Sequence, residues 1–177
     1  FTLTVNPVND APIVENPISD LGVDEDSDDI TINLNSVFSD VENGQNLTYL
    51  VNESMDELST SIVNGELILS FIENAFGQGE VTVIASDVVG RLSASTSFSV
   101  TINPVNDSPI LSSISNQVID EDTSLVLELS ATDIDNSDLT FSSSSGNSDV
   151  VVNGRTLTIT PPENYNGSDD VTVTVTD

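Results

Sequence analysis

The sequence predicts an all-β chain of two tandem β-sandwich domains, and three observations lead to this. Val, Ile, Leu, Thr and Ser dominate and alternate along short segments, and no useful stretch has a helical period. These segments recur at roughly ten-residue intervals with turn residues between them, which is typical of a sandwich of about seven strands. The heptapeptide NPVNDAP at residues 6–12 returns as NPVNDSP at residues 103–109. A domain-sized repeat in a chain of 177 residues predicts two domains, each large enough for its own core.

The repeated heptapeptide predicts a stiff polar joint. Two prolines fix φ at its ends, and the residue before each proline is driven towards extended geometry. The segments before it also correspond, since FTLTV at residues 1–5 matches FSVTI at residues 98–102, and both alternate as strands do. We therefore expect residues 1–9 to be the closing strand and joint of a preceding repeat. Residues 10–106 then form a first repeat, and residues 107–177 form a second, incomplete one.

The first repeat has a strand pattern that can be followed in order. Residues 13–21 are extended but broken by Pro17, which predicts an edge strand that changes sheets. Asn64-Gly65 predicts a hairpin turn. Further strands are predicted at residues 30–34, 47–51, 67–71, 81–85 and 98–102.

The second repeat keeps this order up to residues 171–177, which correspond to residues 81–87. No counterpart of residues 98–102 follows. Two expectations remain open. The chain is a segment of a longer repeat array, or residues 1–5 of one molecule pair with the second repeat of the next by donor-strand addition.

The charge of the chain is strongly acidic, with thirty acidic residues, two basic residues and a net charge of −28. This excludes nucleic acid as a partner, because a phosphate backbone needs Lys and Arg to displace its counterions. It also argues against anionic membranes, and no segment predicts membrane insertion. The chain has no Cys and no His, so thiol and imidazole chemistry is absent. The acids serve solubility alone, or they bind divalent metal.

Four acidic motifs recur at equivalent positions of both repeats, and this clustering favours metal binding as their role. They are DED at 24–26 and 120–122, DVEN and DIDN at 40–43 and 133–136, EN at 73–74 and 163–164, and an Asp at 87 and 177. Calcium takes six to eight oxygens from carboxylates, amides and backbone carbonyls. The simpler alternatives are that the acids and Asn residues are solvated turn residues, and that the joint is a linker without metal.

The order of these motifs resembles a known family. This order is Ala/Thr-x-Asp-x-Asp, then Glu, then Val-x-Ala-x-Asp-x-x-Gly, then Asn-Asp-x-Pro, and it is similar to that of the cadherin repeat. It is most similar to the bacterial cadherin-like tandem repeats of large surface adhesins and secreted polysaccharide-degrading proteins. The resemblance covers the whole chain and implies cadherin-like or immunoglobulin-like Greek-key sandwiches. It also implies calcium at the junctions between repeats and an extracellular or cell-surface location.

Carried over by position, the resemblance implies two sets of calcium ligands. Those of the central junction are Glu25, Glu73, Asn106, Asp107, Asp133, Asp135 and Asp177. Those of the first junction are Asn9, Asp10, Asp40, Glu42 and Asp87. The joint departs from the animal pattern at Asn103 and Ser108, which replace an Asp and an Asn. The smaller number of carboxylates predicts one or two ions per junction rather than three.

The sequence therefore predicts a calcium-stiffened structural or adhesive repeat that is not an enzyme. Its partners would be neighbouring repeats, other copies of itself or surface glycans. One alternative is a filament subunit that assembles through residues 1–5. Another is a carbohydrate or homophilic recognition module, which needs an exposed aromatic platform. The candidates for such a platform are Tyr49, Phe71, Phe76, Phe141 and Tyr165.

Overall fold

The computed structural model describes residues 1–88 and 92–177, which divide into two compact units, Phe1–Val105 and Asn106–Asp177. Regular structure is almost entirely β. The only helix among the described residues is a single 3-10 turn at Leu34–Ser36. The predicted all-β class is therefore confirmed. No helix in the described part of the chain is long and apolar enough to cross a membrane.

The first unit contains nine strands within its described residues. They are β1 (Ile13–Val14), β2 (Leu21–Asp24), β3 (Ile30–Asn33), β4 (Phe38–Ser39), β5 (Thr48–Glu53), β6 (Leu58–Val63), β7 (Glu66–Phe71), β8 (Gly77–Ser86) and β9 (Ser93–Asn103). One sheet has the order β2-β9-β8-β5, a second has the order β3-β7-β6, and β1 pairs with β4. All pairs are antiparallel except β2 with β9. The two larger sheets bury one core between them, which makes the unit a β-sandwich.

The core of the first unit is built from the inward-facing residues of these sheets. Val81, Val83 and Ala85 of β8 and Val100 of β9 are fully buried, and Leu67 of β7 faces them from the other sheet. In β8 and β9 the buried residues alternate with more exposed ones, as the two-residue period of a strand requires.

The strands agree with the sequence prediction except at a few ends. Strand β3 ends at Asn33 because the side chain of Asn33 accepts a hydrogen bond from the backbone N–H of Asn35 and caps the 3-10 turn. Strands β4 and β6 were not predicted, since β4 has only two residues and β6 is rich in Ser and Thr. The Asn64-Gly65 hairpin is confirmed, and both residues have positive φ, as a type I′ turn needs. The edge segment also changes sheets, because β1 and β2 lie on either side of Pro17 in different sheets.

The strand expected at residues 1–5 does not form. Residues 1–12 contain no strand, and the side chains of Phe1, Leu3 and Val5 are exposed. An alternating sequence becomes a strand only when a neighbouring strand takes its backbone hydrogen bonds. Among the described residues, none does so for residues 1–5.

The second unit contains seven strands, all of them in antiparallel pairs. They are β10 (Ile110–Leu111), β11 (Leu125–Glu128), β12 (Ala131–Thr132), β13 (Thr140–Ser145), β14 (Asp149–Asn153), β15 (Thr156–Thr160) and β16 (Val171–Thr176). The sheets are β11-β15-β14, β13-β16 and β10-β12. The core is smaller than that of the first unit. Its buried residues are Leu129, Ala131, Phe141 and Leu157.

Candidate metal centre

The first polar group consists of Asn9, Asp10, Asp40, Glu42 and Asp87, which the fold brings to one end of the first unit. The Nδ2 of Asn9 donates to Oδ2 of Asp87 at 2.7 Å, and the backbone N–H of Asp10 donates to Oε2 of Glu42 at 3.2 Å. Asp87 follows directly after β8 and is buried, with 3% of its surface exposed. All five residues predicted for the first junction therefore lie in the first unit, and these hydrogen bonds join four of them in two pairs.

Asp40 ties this group to the loop that follows β4. Its Oδ1 accepts hydrogen bonds from the backbone N–H groups of Glu42 at 3.0 Å and Asn43 at 2.6 Å, and from Nδ2 of Asn43 at 3.0 Å. Asp40 is 6% exposed, and its second oxygen, Oδ2, is buried without a hydrogen-bond partner. Oδ1 of Asp40 therefore stabilises the turn by accepting its hydrogen bonds. The other oxygen is a buried polar atom that the protein leaves unsatisfied.

The second polar group is the equivalent set in the second unit, and its hydrogen bonds repeat those of the first. The Nδ2 of Asn106 donates to Oδ2 of Asp177, as Asn9 does to Asp87. The backbone N–H of Asp107 donates to Oδ2 of Asp135 at 2.7 Å, as Asp10 does to Glu42. The predicted residues Asn106, Asp107, Asp133, Asp135 and Asp177 thus lie together in this unit.

The two carboxylate oxygens of Asp133 differ in the same way as those of Asp40. Its Oδ1 accepts from the backbone N–H groups of Asp135 at 2.9 Å and Asn136 at 2.6 Å. Its Oδ2 is buried without a hydrogen-bond partner. Hydrogen bonds from the side chain of Asn106 and from neighbouring groups lower the pKa of Asp177.

The two remaining predicted ligands, Glu25 and Glu73, lie in the first unit. Glu25 is 5% exposed. Its backbone N–H donates to the carbonyl of Asn103 at 2.9 Å, and its Oε1 accepts from the backbone N–H of Val105 at 2.7 Å. Glu73 is exposed. Glu25 therefore fixes the start of the 103–109 joint onto the first unit by protein hydrogen bonds.

A contact that the sequence analysis missed lies next to these two glutamates. Oδ1 of Asp26 accepts a hydrogen bond from the backbone N–H of Asn74 at 2.8 Å, and both residues have positive φ. Asp122 and Asn164 repeat this contact at 2.7 Å in the second unit, also with positive φ. The recurrence of DED and EN in both repeats was the available signal. The structure shows that their Asp and Asn members join two turns.

The carboxylates of the polar groups are not gathered into a purely acidic cluster. Within the described residues, no group of three or more Asp or Glu side chains is arranged to hold a metal ion by itself. Any cation at these groups would therefore need amide and backbone oxygens beside the carboxylates. Calcium accepts such mixed oxygen sets.

The aromatic residues do not form a binding platform in the described structure. Tyr49 and Phe71 pack against the first core, and burial raises the pKa of Tyr49. Phe141 is buried in the second core, and the hydroxyl of Tyr165 donates to the carbonyl of Ser168 at 2.8 Å. Of the five predicted candidates, Phe76 is the exposed one, at 53%.

Comparison with known proteins gives one family match. A family model described as a bacterial Ig domain matches residues 106–177. No curated protein matches this chain.

Solved structures resemble the chain only distantly. An endo-fucoidan hydrolase of glycoside hydrolase family 107 shares 18% identity at a TM-score of 0.44, over 96% of this chain and 29% of that one. Drosophila N-cadherin EC1-4 shares 15% identity at a TM-score of 0.46, over 94% of this chain and 48% of that one. The titin domains z1z2 in complex with telethonin share 12% identity at a TM-score of 0.37, over 94% and 95% of the two chains. This chain thus spans about three tenths of the length of the hydrolase.

The fold and the family match together define a class. The chain is an all-β protein whose first unit is a β-sandwich and whose second unit matches a bacterial Ig domain. An Ig domain is a structural module rather than a catalytic one, and bacterial Ig domains typically occur in extracellular and surface proteins.

Proposed function

We propose that this chain is a calcium-stiffened structural repeat of a long bacterial surface or secreted protein. Each polar group binds calcium, and the bound ion fixes the Asn-Asp pair of the joint to the domain that follows it. Asn9 and Asp10 in one unit, and Asn106 and Asp107 in the other, are residues of the repeated heptapeptide. The proposal thus gives the heptapeptide and the recurrent acids a common role.

The observation that carries the proposal is the pair of buried, unpartnered oxygens, Oδ2 of Asp40 and Oδ2 of Asp133. An unsatisfied buried polar atom costs about 1–3 kcal/mol, and a charged one costs more. Such atoms are rare in native proteins and call for a physical explanation. Here the same atom is unsatisfied at equivalent positions of two units, each beside a second acid and an Asn. A cation that binds there removes the cost in both units.

The residues present suit calcium better than other metals. The chain has no His and no Cys, so the nitrogen and sulfur ligands that zinc prefers are absent from the sequence. Asp40, Glu42 and Asp87 offer carboxylate oxygens, and the Asn9 side chain can present either its oxygen or its N–H groups. The sequence also assigned Glu25 and Glu73 to calcium binding. That assignment stays a prediction.

Charge is the second support for the proposal. At a net charge of −28 the chain repels itself unless cations are supplied. Calcium that binds the folded chain and not the unfolded one stabilises the fold by mass action. We expect the unfolding temperature of both units to rise with calcium concentration.

The test is calcium titration calorimetry on the metal-stripped chain and on Asp40→Asn and Asp133→Asn. Asn keeps the oxygen that accepts the turn hydrogen bonds but removes the charge, so the turn is expected to persist. We expect saturable binding at micromolar to millimolar calcium. Each single variant should lose the binding of its own unit, and the double variant should lose both.

The matched controls are Asp56→Asn in the first unit and Asp149→Asn in the second. Both acids are exposed and lie outside the polar groups, so each variant removes one charge without touching a proposed site. Binding that is unchanged in Asp40→Asn and Asp133→Asn, or equally reduced in the controls, would overturn the proposal.

A further inference from the structure

A hollow in the second unit lies beside its polar group. The volume of the hollow is about 380 Å³, and its lining includes Asp133, Asp135 and Asn136, which come just after β12. Arg155 lines the same hollow, and its side chain is exposed. Residues 106–177 contain no other Lys or Arg. The single basic side chain of this segment thus borders the same hollow as two acids of the proposed calcium site.

The hairpin between β14 and β15 puts Arg155 in this position. Asn153 pairs with Thr156, so the chain turns at Gly154 and Arg155. Gly154 has a φ of +61°, which the first residue of a two-residue hairpin turn needs and which glycine adopts without strain. The carbonyl of Arg155 accepts a hydrogen bond from the backbone N–H of Leu129 at 2.7 Å. The backbone at Arg155 is therefore held by the turn and by the segment after β11.

The ring of Phe141 orients the side chain of Arg155. The guanidinium carbon Cζ lies 5.9 Å from the centroid of this ring, which is the range of a cation–π contact. The contact is attractive because the face of an aromatic ring carries partial negative charge. The positive charge of Arg155 is therefore held at a defined place beside the hollow.

The first unit has a neutral arrangement at the equivalent positions. Gly65 takes the place of Arg155, because the carbonyls of both accept from the backbone N–H of a buried leucine in the facing segment. Tyr49 takes the place of Phe141 as the second residue of its strand, and its hydroxyl donates to Oδ1 of Asn35 at 3.2 Å. A Cβ added to Gly65 would lie 3.1 Å from Nδ2 of Asn35, so a side chain there has little room. The second unit thus has a cation where the first has a neutral hydrogen bond.

The carboxylates of the second polar group gain from a positive charge nearby. Oδ2 of Asp133 is buried without a hydrogen-bond partner, and Asp135 lines the same hollow. Like charges destabilise each other, and a cation closer than the Debye length, about 10 Å in 0.1 M salt, offsets this repulsion. A guanidinium keeps its charge at every pH at which proteins normally work. Arg155 can therefore serve as a permanent counter-ion.

We propose that Arg155 is the built-in counter-ion of the polar group in the second unit and that it sets the affinity of this group for calcium. Without calcium, its charge offsets part of the repulsion among the carboxylates and stabilises the metal-free unit. With calcium, the same charge repels the ion and weakens its binding. This inference rests on the proposed calcium binding and adds a residue that regulates it.

The first test is calcium titration calorimetry in an Asp40→Asn background, so that the second polar group is followed alone. Arg155→Gln should lower the dissociation constant for calcium at least ~3-fold in about 0.01 M salt, where the Debye length is about 30 Å. The effect should nearly vanish in about 1 M salt, where this length is about 3 Å. Arg155→Lys keeps the charge and should bind calcium as the parent does, within ~2-fold.

The matched control is Asn166→Asp, which gives the chain the same net charge as Arg155→Gln. Asn166 is exposed and precedes β16, whereas Asp177 of the polar group follows this strand. The 6 residues of β16 span about 20 Å, so the new charge lies far from the polar group along the strand. The control should leave the dissociation constant close to that of the parent.

The second test is thermal unfolding in the presence of a chelator, which reports on Arg155 without calcium. Arg155→Gln should lower the unfolding temperature of the second unit by about 1–4 °C in low salt. This difference should shrink as salt is added, because salt screens charges but does not change the packing of a side chain on Phe141.

Two results would overturn the inference. One is that Arg155→Gln and Asn166→Asp bind calcium alike, and the other is that the difference in unfolding temperature does not depend on salt. Absence of calcium binding in every variant would overturn the proposed function instead. The unfolding curves in chelator would then still decide whether Arg155 is the counter-ion of the polar group.

Discussion

The two units carry nearly the same strand in different surroundings. Strand β8 and strand β16 are both alternating and Val-rich, and each leads into an Asp of a polar group. Val83 is fully buried and Val173 is half-buried. The sequence pattern is the same, so the difference comes from the neighbouring strand β9. Burial in a sandwich is therefore decided by what lies next to a strand as much as by its own residues.

Burial also differs between equivalent acidic residues of the two units. Glu25 and Glu121 occupy the same position in the DED motif. Glu25 is buried because residues 103–105 run over it and Val105 donates a hydrogen bond to it, whereas Glu121 is exposed. One motif thus gives a buried structural carboxylate in one unit and a solvated one in the other.

One pair of equivalent positions holds apolar residues in the first unit and polar residues in the second. Gly79 and Met55 meet in the first unit, where a Cβ added to Gly79 would lie 2.7 Å from Cβ of Met55. Their counterparts in the second unit are Asp169 and Asn147, which are joined by a hydrogen bond at 3.2 Å. The apolar contact in one unit corresponds to a polar one in the other, so the two positions are neighbours in both units.

The largest effect is expected from a core phenylalanine and its exposed counterpart. Phe98→Ala should lower the free energy of unfolding of the first unit by about 3–5 kcal/mol, because it leaves a cavity under β9. Phe1→Ala in the same sequence pattern should change it by less than about 0.5 kcal/mol, because Phe1 is exposed. Urea unfolding of dilute protein, followed by Tyr49 fluorescence in a Tyr165→Phe background, measures both. Equal effects would mean that the cover provided by β9 is not what stabilises this core.

A smaller effect is expected from the two glutamates. In the presence of a chelator, Glu25→Ala should cost the first unit about 1–3 kcal/mol, because the N–H of Val105 loses its acceptor. Glu121→Ala removes a solvated side chain, and its effect on the second unit should stay within about 0.5 kcal/mol. Thermal unfolding by calorimetry compares them. A cost for Glu121→Ala as large as that for Glu25→Ala would contradict the assignment of Glu25 to the joint.

The smallest effect is expected from Asp169, and it depends on pH. Hydrogen bonds from Ser145 and Ser148, assisted by Asn147, lower the pKa of Asp169 far below its ordinary value of 3.8. A carboxyl whose pKa is lowered by folding stabilises the fold above its unfolded pKa, and this is lost as the pH falls through the folded pKa.

Asp169→Asn should therefore lower the unfolding temperature of the second unit near neutral pH. The difference from the unchanged chain should shrink as the pH is taken below 3.8. Calorimetric scans across this range make the comparison, with the exposed Asp149→Asn as control. A difference that stays constant with pH would show that the charge of Asp169 is not involved.

Much of the fold could be predicted from the sequence, because strand patterning and turn chemistry are local. The Asn64-Gly65 hairpin and the change of sheets at Pro17 depend on backbone preferences that each residue carries with it. Whether residues 1–5 form a strand could not be predicted from their local sequence, because a strand needs a partner that its own pattern does not specify. Asn106, Asp107, Asp133, Asp135 and Asp177, which were predicted as part of one set, lie in one unit, whereas Glu25 and Glu73 of that set lie in the other, and the hydrogen bonds were not predicted. The joining of Asp26 to Asn74 was missed because the two residues are distant in sequence.

By itself, the sequence determined the all-β class, the repeated joint, the strongly acidic charge and the recurrence of the acidic motifs in both repeats. These follow from periodicity, composition and motif spacing, which are properties of the chain alone. The tertiary structure decided that one oxygen of Asp40 and one of Asp133 are buried without a hydrogen-bond partner, and that Glu25 is covered while Glu121 is exposed. Burial and hydrogen bonding depend on atoms that are far apart in sequence, and only the folded chain brings these atoms together.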